Sequence, residues 1–152
     1  MPQSPLLSLL RRHYPYVAKD FLGPVIDLLN VGRATCDGDL DKLLIVLVVA
    51  MRTAEDKRVL DLELEDILSG AVETYPSLST NVRSISDSTG IPKESVRRKV
   101  GALVEAGWIV RDDHTLSLAP HASRMLTDFR EQLFQQAIRN HQTVMMIEAQ
   151  ER

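Results

Sequence analysis

The sequence predicts a mainly α-helical protein carrying one small β-hairpin. Three observations lead there. Apolar residues recur at three- and four-residue spacing along much of the 152-residue chain, the period of a helix with one buried face. Aromatic residues are only 5%, and strand-type runs are scarce. After Gly107 the period changes to two short β-type runs, "WIVRD" and "TLSLA", joined by "DDH".

Taken in order, residues 5–12 suit a short helix that should end before Tyr14-Pro15. Residues 16–31 form an amphipathic helix through Val17, Phe21, Val25, Leu28 and Leu29, with a kink or break expected at Pro24. The loop "GRATCDGDLD" follows. Its alternating Asp37, Asp39 and Asp41 faintly resemble a calcium loop, but Lys42 and Val48 stand where Gly and Glu are required. These aspartates suit the cap and first turn of the next helix better. That helix, 40–54, contains the apolar run "LLIVLVVAM". Apolar on all sides, it should lie in the middle of the core. A further short helix is expected over 61–73, from Leu62, Leu64, Ile67, Leu68 and Val72, before "ETYPSLST" breaks the chain.

Residues 81–88 make another short helix with Val82 and Ile85 inward. Gly90 supplies a turn that needs positive φ, and Ile91 plugs it. Pro92 suits a helix start. The helix from there to about Glu105 buries Val96, Val100, Leu103 and Val104. Helix, tight turn, helix and two-stranded ribbon make a helix-turn-helix followed by a wing. The last segment, 120–150, reads as one long helix opened by Pro120. Its stripe is Ala122, Leu126, Phe129, Leu133, Ala137, His141, Val144 and Ile147, widened by Met125, Phe134, Ile138, Met145 and Met146.

The stretch "GIPKESVRRKVGALVEAGWI", residues 90–109, resembles the recognition helix and first wing strand of bacterial winged helix-turn-helix transcription regulators. Ile85, Gly90, Ile91, Val96, Val100, Leu103, Gly107, Trp108 and Ile109 carry the resemblance, with Ser86 as the small residue four before the turn glycine. It covers residues 80–119. The resemblance implies a first core helix at 40–54 and an insertion at 55–80. It also implies a division into N-terminal helices (1–38), a winged domain (39–119) and a C-terminal helix (120–152). In the similar MarR-like architecture the terminal helices form a homodimer, which sets two recognition helices on two half-sites. A stripe as long as that of 120–150 asks for such a partner.

On a helical wheel, Arg98 points almost directly away from Val96, Val100 and Leu103. Glu94, Ser95, Gly101 and Ala102 share its face, Arg97 and Lys99 flank it, and Lys93 lies nearer the first turn. Central side chains of a recognition helix read base edges, and flanking cations reach phosphates. The expected contacts with double-stranded DNA are therefore Lys93, Glu94, Ser95, Arg97, Arg98 and Lys99, joined by Arg83 and Arg111. Gly101 costs about 1 kcal/mol in a helix interior, and close approach to a partner would account for it. The bland alternative is a solvated face with Glu94 and Arg98 paired.

Charge tempers this. The chain carries a net −3, and residues 80–120 hold six Lys/Arg against five Asp/Glu. The wing tip bears Asp112 and Asp113 beside Arg111 and His114. A winged-helix module that binds protein without strong DNA binding is thus the rival reading. No phosphate-binding glycine loop, nucleophile elbow, metal-ligand cluster or paired carboxylates suggest an enzyme or a cofactor. His13, His114 and His121 lack metal-type spacing, and His141 sits on the long stripe. The lone Cys36 excludes an internal disulfide and reads as a buried thiol in a reducing cytoplasm, with Arg33 as its one basic neighbour. No basic segment precedes the first apolar run, so a secretory signal is not expected. The longest apolar run is about half of a membrane span. A pocket for a small-molecule effector suits the architecture, but no polar constellation marks one.

Overall fold

The computed structural model describes residues 4–73, 75 and 80–151. Most of "ETYPSLST", and with it the end of the expected 55–80 insertion, lies outside them. The chain is mainly helical with one two-stranded antiparallel hairpin, the coarse class predicted above. Among the described residues no helix is long and apolar enough to cross a membrane. Two compact units are present. One combines Met1–Gly32 with Asp128–Arg152, and the other is Arg33–Thr127.

In the first unit, helix α1 (Pro5–Thr35) runs unbroken through Pro15 and Pro24. The helix end expected before Pro15 does not occur, and Pro24 does not divide the helix into two pieces. Each proline removes one ladder bond, but the inward stripe Leu10, His13, Val17, Pro24, Leu28 and Val31 stays in phase across both. Helix α8 (Thr127–Gln150) runs antiparallel to it: Arg12 and His13 bond Glu151 at 3.0 and 2.8 Å, and Arg139 approaches Asp27 at 3.8 Å. Phe129 and Ile147 are buried, and between them Gln136 and Asn140 bury their amide oxygens without a hydrogen-bond partner. The predicted single stripe therefore splits. Ala137 and His141 are exposed. Phe134, Ile138 and Met145, about half exposed, lie roughly 140–180° round the helix from Phe129. On α1, Leu7, Tyr14, Leu22, Val25 and Leu29 are likewise exposed.

Near the start of the second unit Cys36 buries its thiol. Burial raises its pKa above the ordinary 9.0, and the carboxylates of Asp37 and Asp39 add to the rise. Asp39 caps α2 (Leu40–Ala54), its side chain accepting from the Lys42 backbone N–H at 3.1 Å. Helix α2 buries Leu43, Ile45, Val46 and Val49 and packs on α5, α6 and β2. It is not enclosed on all sides, because Leu44 and Met51 face outward. Of the helix expected over 61–73 only the shorter α4 (Leu64–Ser69) forms, and a separate α3 (Lys57–Leu60) precedes that range. Gly70 ends α4 at φ 82°, a conformation that favours glycine.

The predicted 120–150 helix is also two. Helix α7 (Pro120–Met125) stops where Leu126 leaves helical geometry. Leu126 is buried together with Ala122 and Ser123 in the second unit, and Thr127 Oγ1 donates to the Arg124 carbonyl at 2.8 Å. Burial of Leu126 and this local bond compete successfully with straight continuation. Tyr75 reaches back to Ser123, hydroxyl to hydroxyl, at 2.9 Å.

Candidate nucleic-acid interface

Asn81 caps helix α5 (Val82–Thr89) by accepting from the Ser84 N–H at 2.9 Å, while Ser84 Oγ accepts from the Asn81 N–H. This reciprocal pair fixes where α5 starts. Gly90, at φ 74°, turns the chain. The Ser86 hydroxyl donates to the Ile91 carbonyl at 2.7 Å. The Ile91 N–H donates to Thr89 Oγ1 at 3.2 Å, and the Ile91 side chain is buried. Helix α6 (Lys93–Glu105) leaves this locked turn at a fixed angle, anchored by buried Val96, Val100 and Leu103.

The hairpin follows directly. Gly107 (φ 78°) closes α6, and the Trp108 N–H returns to the Leu103 carbonyl at 2.9 Å. Strands β1 (Ile109–Asp112) and β2 (Thr115–Leu118) pair antiparallel, with Arg111 opposite Leu116. Asp113 takes φ 53° at the tip, a conformation Asp tolerates better than most residues. The Leu116 N–H donates to the Thr80 carbonyl at 2.8 Å. That bond ties strand β2, and through it the hairpin, to the residue preceding α5's cap.

Arg83 from α5, Arg97 from α6 and Arg111 from β1 line one groove of about 390 Å³, together with Asn81, Asp113 and His114. Two of these arginines have carboxylate neighbours: Arg97 pairs with Glu94, and Arg83 lies 3.9 Å from Asp87. Both pairs are exposed, and such pairs contribute about 0–1 kcal/mol. The Glu94–Arg98 pair of the alternative, solvated-face reading is not made, since Glu94 turns to Arg97. Arg98 is exposed, and no carboxylate among the described residues lies in ion-pair reach of it. Lys93 is exposed and Ser95 half-buried on the same helix. A Cβ added to Gly101 would meet no heavy atom within 4 Å, so no packing contact among the described residues requires glycine there.

The structure places one of the expected contact residues away from the open face. Lys99 does not flank an open surface. Its ammonium binds Asp39 at 2.5 Å and lies 3.5 Å from Asp41, and its side chain is only 16% exposed. A helical wheel gives direction but not neighbours, and here the flank meets the start of α2. The aspartates were legible as helix caps; their second role, 60 residues along the chain, had no sequence signal. Asn81 did have one, the Asn-x-x-Ser spacing of a capping pair. No protein-family model matches the chain, and no curated protein or solved structure is detectably similar to it.

Proposed function

We propose that the chain is a dimeric, sequence-specific duplex-DNA-binding regulator of the winged helix-turn-helix type, MarR-like in plan, with α6 laid in the major groove. The observation that carries this reading is the convergence of Arg83, Arg97 and Arg111 on one groove beside the open Arg98–Gly101 face. A phosphate can displace weak surface carboxylates from the three arginines, while Arg98 remains free to address a base edge. The resemblance of residues 80–119 to winged helix-turn-helix regulators agrees with it. The exposed apolar faces of α1 and α8 support pairing of two copies, because large contiguous apolar patches on a protein surface mark interaction sites.

Selection of bound sequences from a random duplex pool tests the proposal. The expected product is a pair of inverted half-sites centred one helical turn, about 10–10.5 bp, or a multiple of it apart. A pool that shows no enrichment contradicts it. The rival reading, a winged-helix module that binds protein, is favoured by the exposed acidic tip at Asp112 and Asp113. It predicts no enriched duplex.

A further inference from the structure

Lys99 is the one cation of α6 withdrawn from solvent, and it is held by two carboxylates rather than one. Both belong to the first turn of α2: Asp39 is its cap and Asp41 its second residue. Helix α2 is also one of the elements on which α6 packs, with α5 and β1. The buried side chains of α6, Val96, Val100 and Leu103, make apolar packing that fixes distance better than rotation, because dispersion contacts are nearly non-directional. A hydrogen-bonded ion pair on the flank of α6 adds direction. Asp39 is bonded twice, to Lys99 Nζ and to the Lys42 N–H, so the anchor itself is rigid. Burial by itself would raise the Asp39 pKa, but the hydrogen bonds from Lys99 and the Lys42 N–H hold it below the ordinary 3.8.

We infer that the Lys99–Asp39–Asp41 cluster is a latch that sets the rotation of α6 about its own axis, making Lys99 a positioning residue for base reading and not a phosphate ligand. Arg98 and Arg97 are the two residues preceding Lys99, so a turn of α6 that moves Lys99 moves both. A latch of this kind governs preference among sequences more than affinity for duplex in general. The inference rests on the DNA-binding reading above.

The test measures affinity for a preferred site and for unrelated duplex across a salt series. The proteins compared are the full-length chain and its variants Lys99→Met, Lys99→Arg and Asp39→Asn/Asp41→Asn. Asn remains a good helix cap, so the last variant removes charge while sparing the cap. Lys99→Met should lower the ratio of specific to unrelated binding about tenfold, as expected for one coupled contact network. Its salt slope should not change. Lys99→Arg should retain most of the ratio. Asp39→Asn/Asp41→Asn should lower the ratio as Lys99→Met does. Plain electrostatics predicts the opposite for that variant, tighter binding to every duplex once two negative charges are gone. If Lys99 instead bound phosphate, dimeric Lys99→Met would release one phosphate per subunit, and its salt slope would be shallower by about 1.8. That result would overturn the latch. An unchanged ratio in Lys99→Met and in Asp39→Asn/Asp41→Asn would also overturn it. If Lys99→Met fails to fold, the aspartate variant decides alone. Failure of the wild-type chain to bind any duplex would sink the DNA reading and the latch with it, whereas wild-type binding with an unchanged ratio sinks only the latch.

Discussion

Arg98→Ala is expected to weaken binding to the preferred site by about 1–3 kcal/mol and to relax preference at one base position. Arg98 is exposed, so folding should be untouched and the loss should lie in recognition. Arg97→Ala, in contrast, should weaken all duplexes alike, because Arg97 lines the groove assigned to phosphate. Competition titrations against single-base variants of the selected site measure both effects. If Arg98→Ala left affinity and preference unchanged, Arg98 would not face the bases.

The second large effect concerns assembly. Phe134 and Ile138 are about half exposed on the outward face of α8, one helical turn apart. Replacing both with Glu should leave the monomer folded, since neither side chain completes its own unit's core. Sedimentation should show the wild-type chain as a dimer and the double variant as a monomer. Affinity for a two-half-site duplex should then fall about 10²–10⁴-fold, because the second half-site would no longer be reached intramolecularly. A variant that stays dimeric would remove this face of α8 from the interface.

These two predictions draw on sequence information of unequal quality. The segment from Asn81 to Leu118 was legible almost to the residue. Gly90 and Gly107 mark backbone positions with positive φ, Ile85, Val96, Val100 and Leu103 mark one buried face, and the change of period after Gly107 marks the hairpin. Local chemistry determines each of these. The long helices were less legible because their boundaries depend on tertiary packing. Pro15 and Pro24 look like breaks, yet α1 continues through both because its inward stripe keeps packing. Nothing local announces the stop at Leu126, since that residue fits the helical stripe. On α8 the apolar residues form two faces, and periodicity alone cannot tell which is inward. The structure turns Gln136 and Asn140 inward and leaves Phe134, Ile138 and Met145 outside.

The candidate site shows the same division. Arg83, Arg97 and Arg111 were chosen individually from the sequence, but their meeting in one groove depends on the Leu116–Thr80 backbone bond that seats the hairpin. The helical wheel sets Lys99 on the flank of Arg98, whereas its ammonium lies against Asp39 and Asp41. Of the three adjacent cations, Arg98 is open, Arg97 faces the groove beside Glu94, and Lys99 is bound within the protein.

The most direct test of the central claim is a salt titration of binding to duplex DNA. If Lys93, Arg83, Arg97 and Arg111 each meet one phosphate, a dimer makes eight such contacts, and the logarithm of the affinity should fall with that of salt at a slope of about −7. Affinity should therefore drop about 10⁴-fold between 50 and 200 mM salt. Absence of binding to any duplex at low salt, or binding that salt leaves unchanged, would contradict the assignment of this surface to DNA.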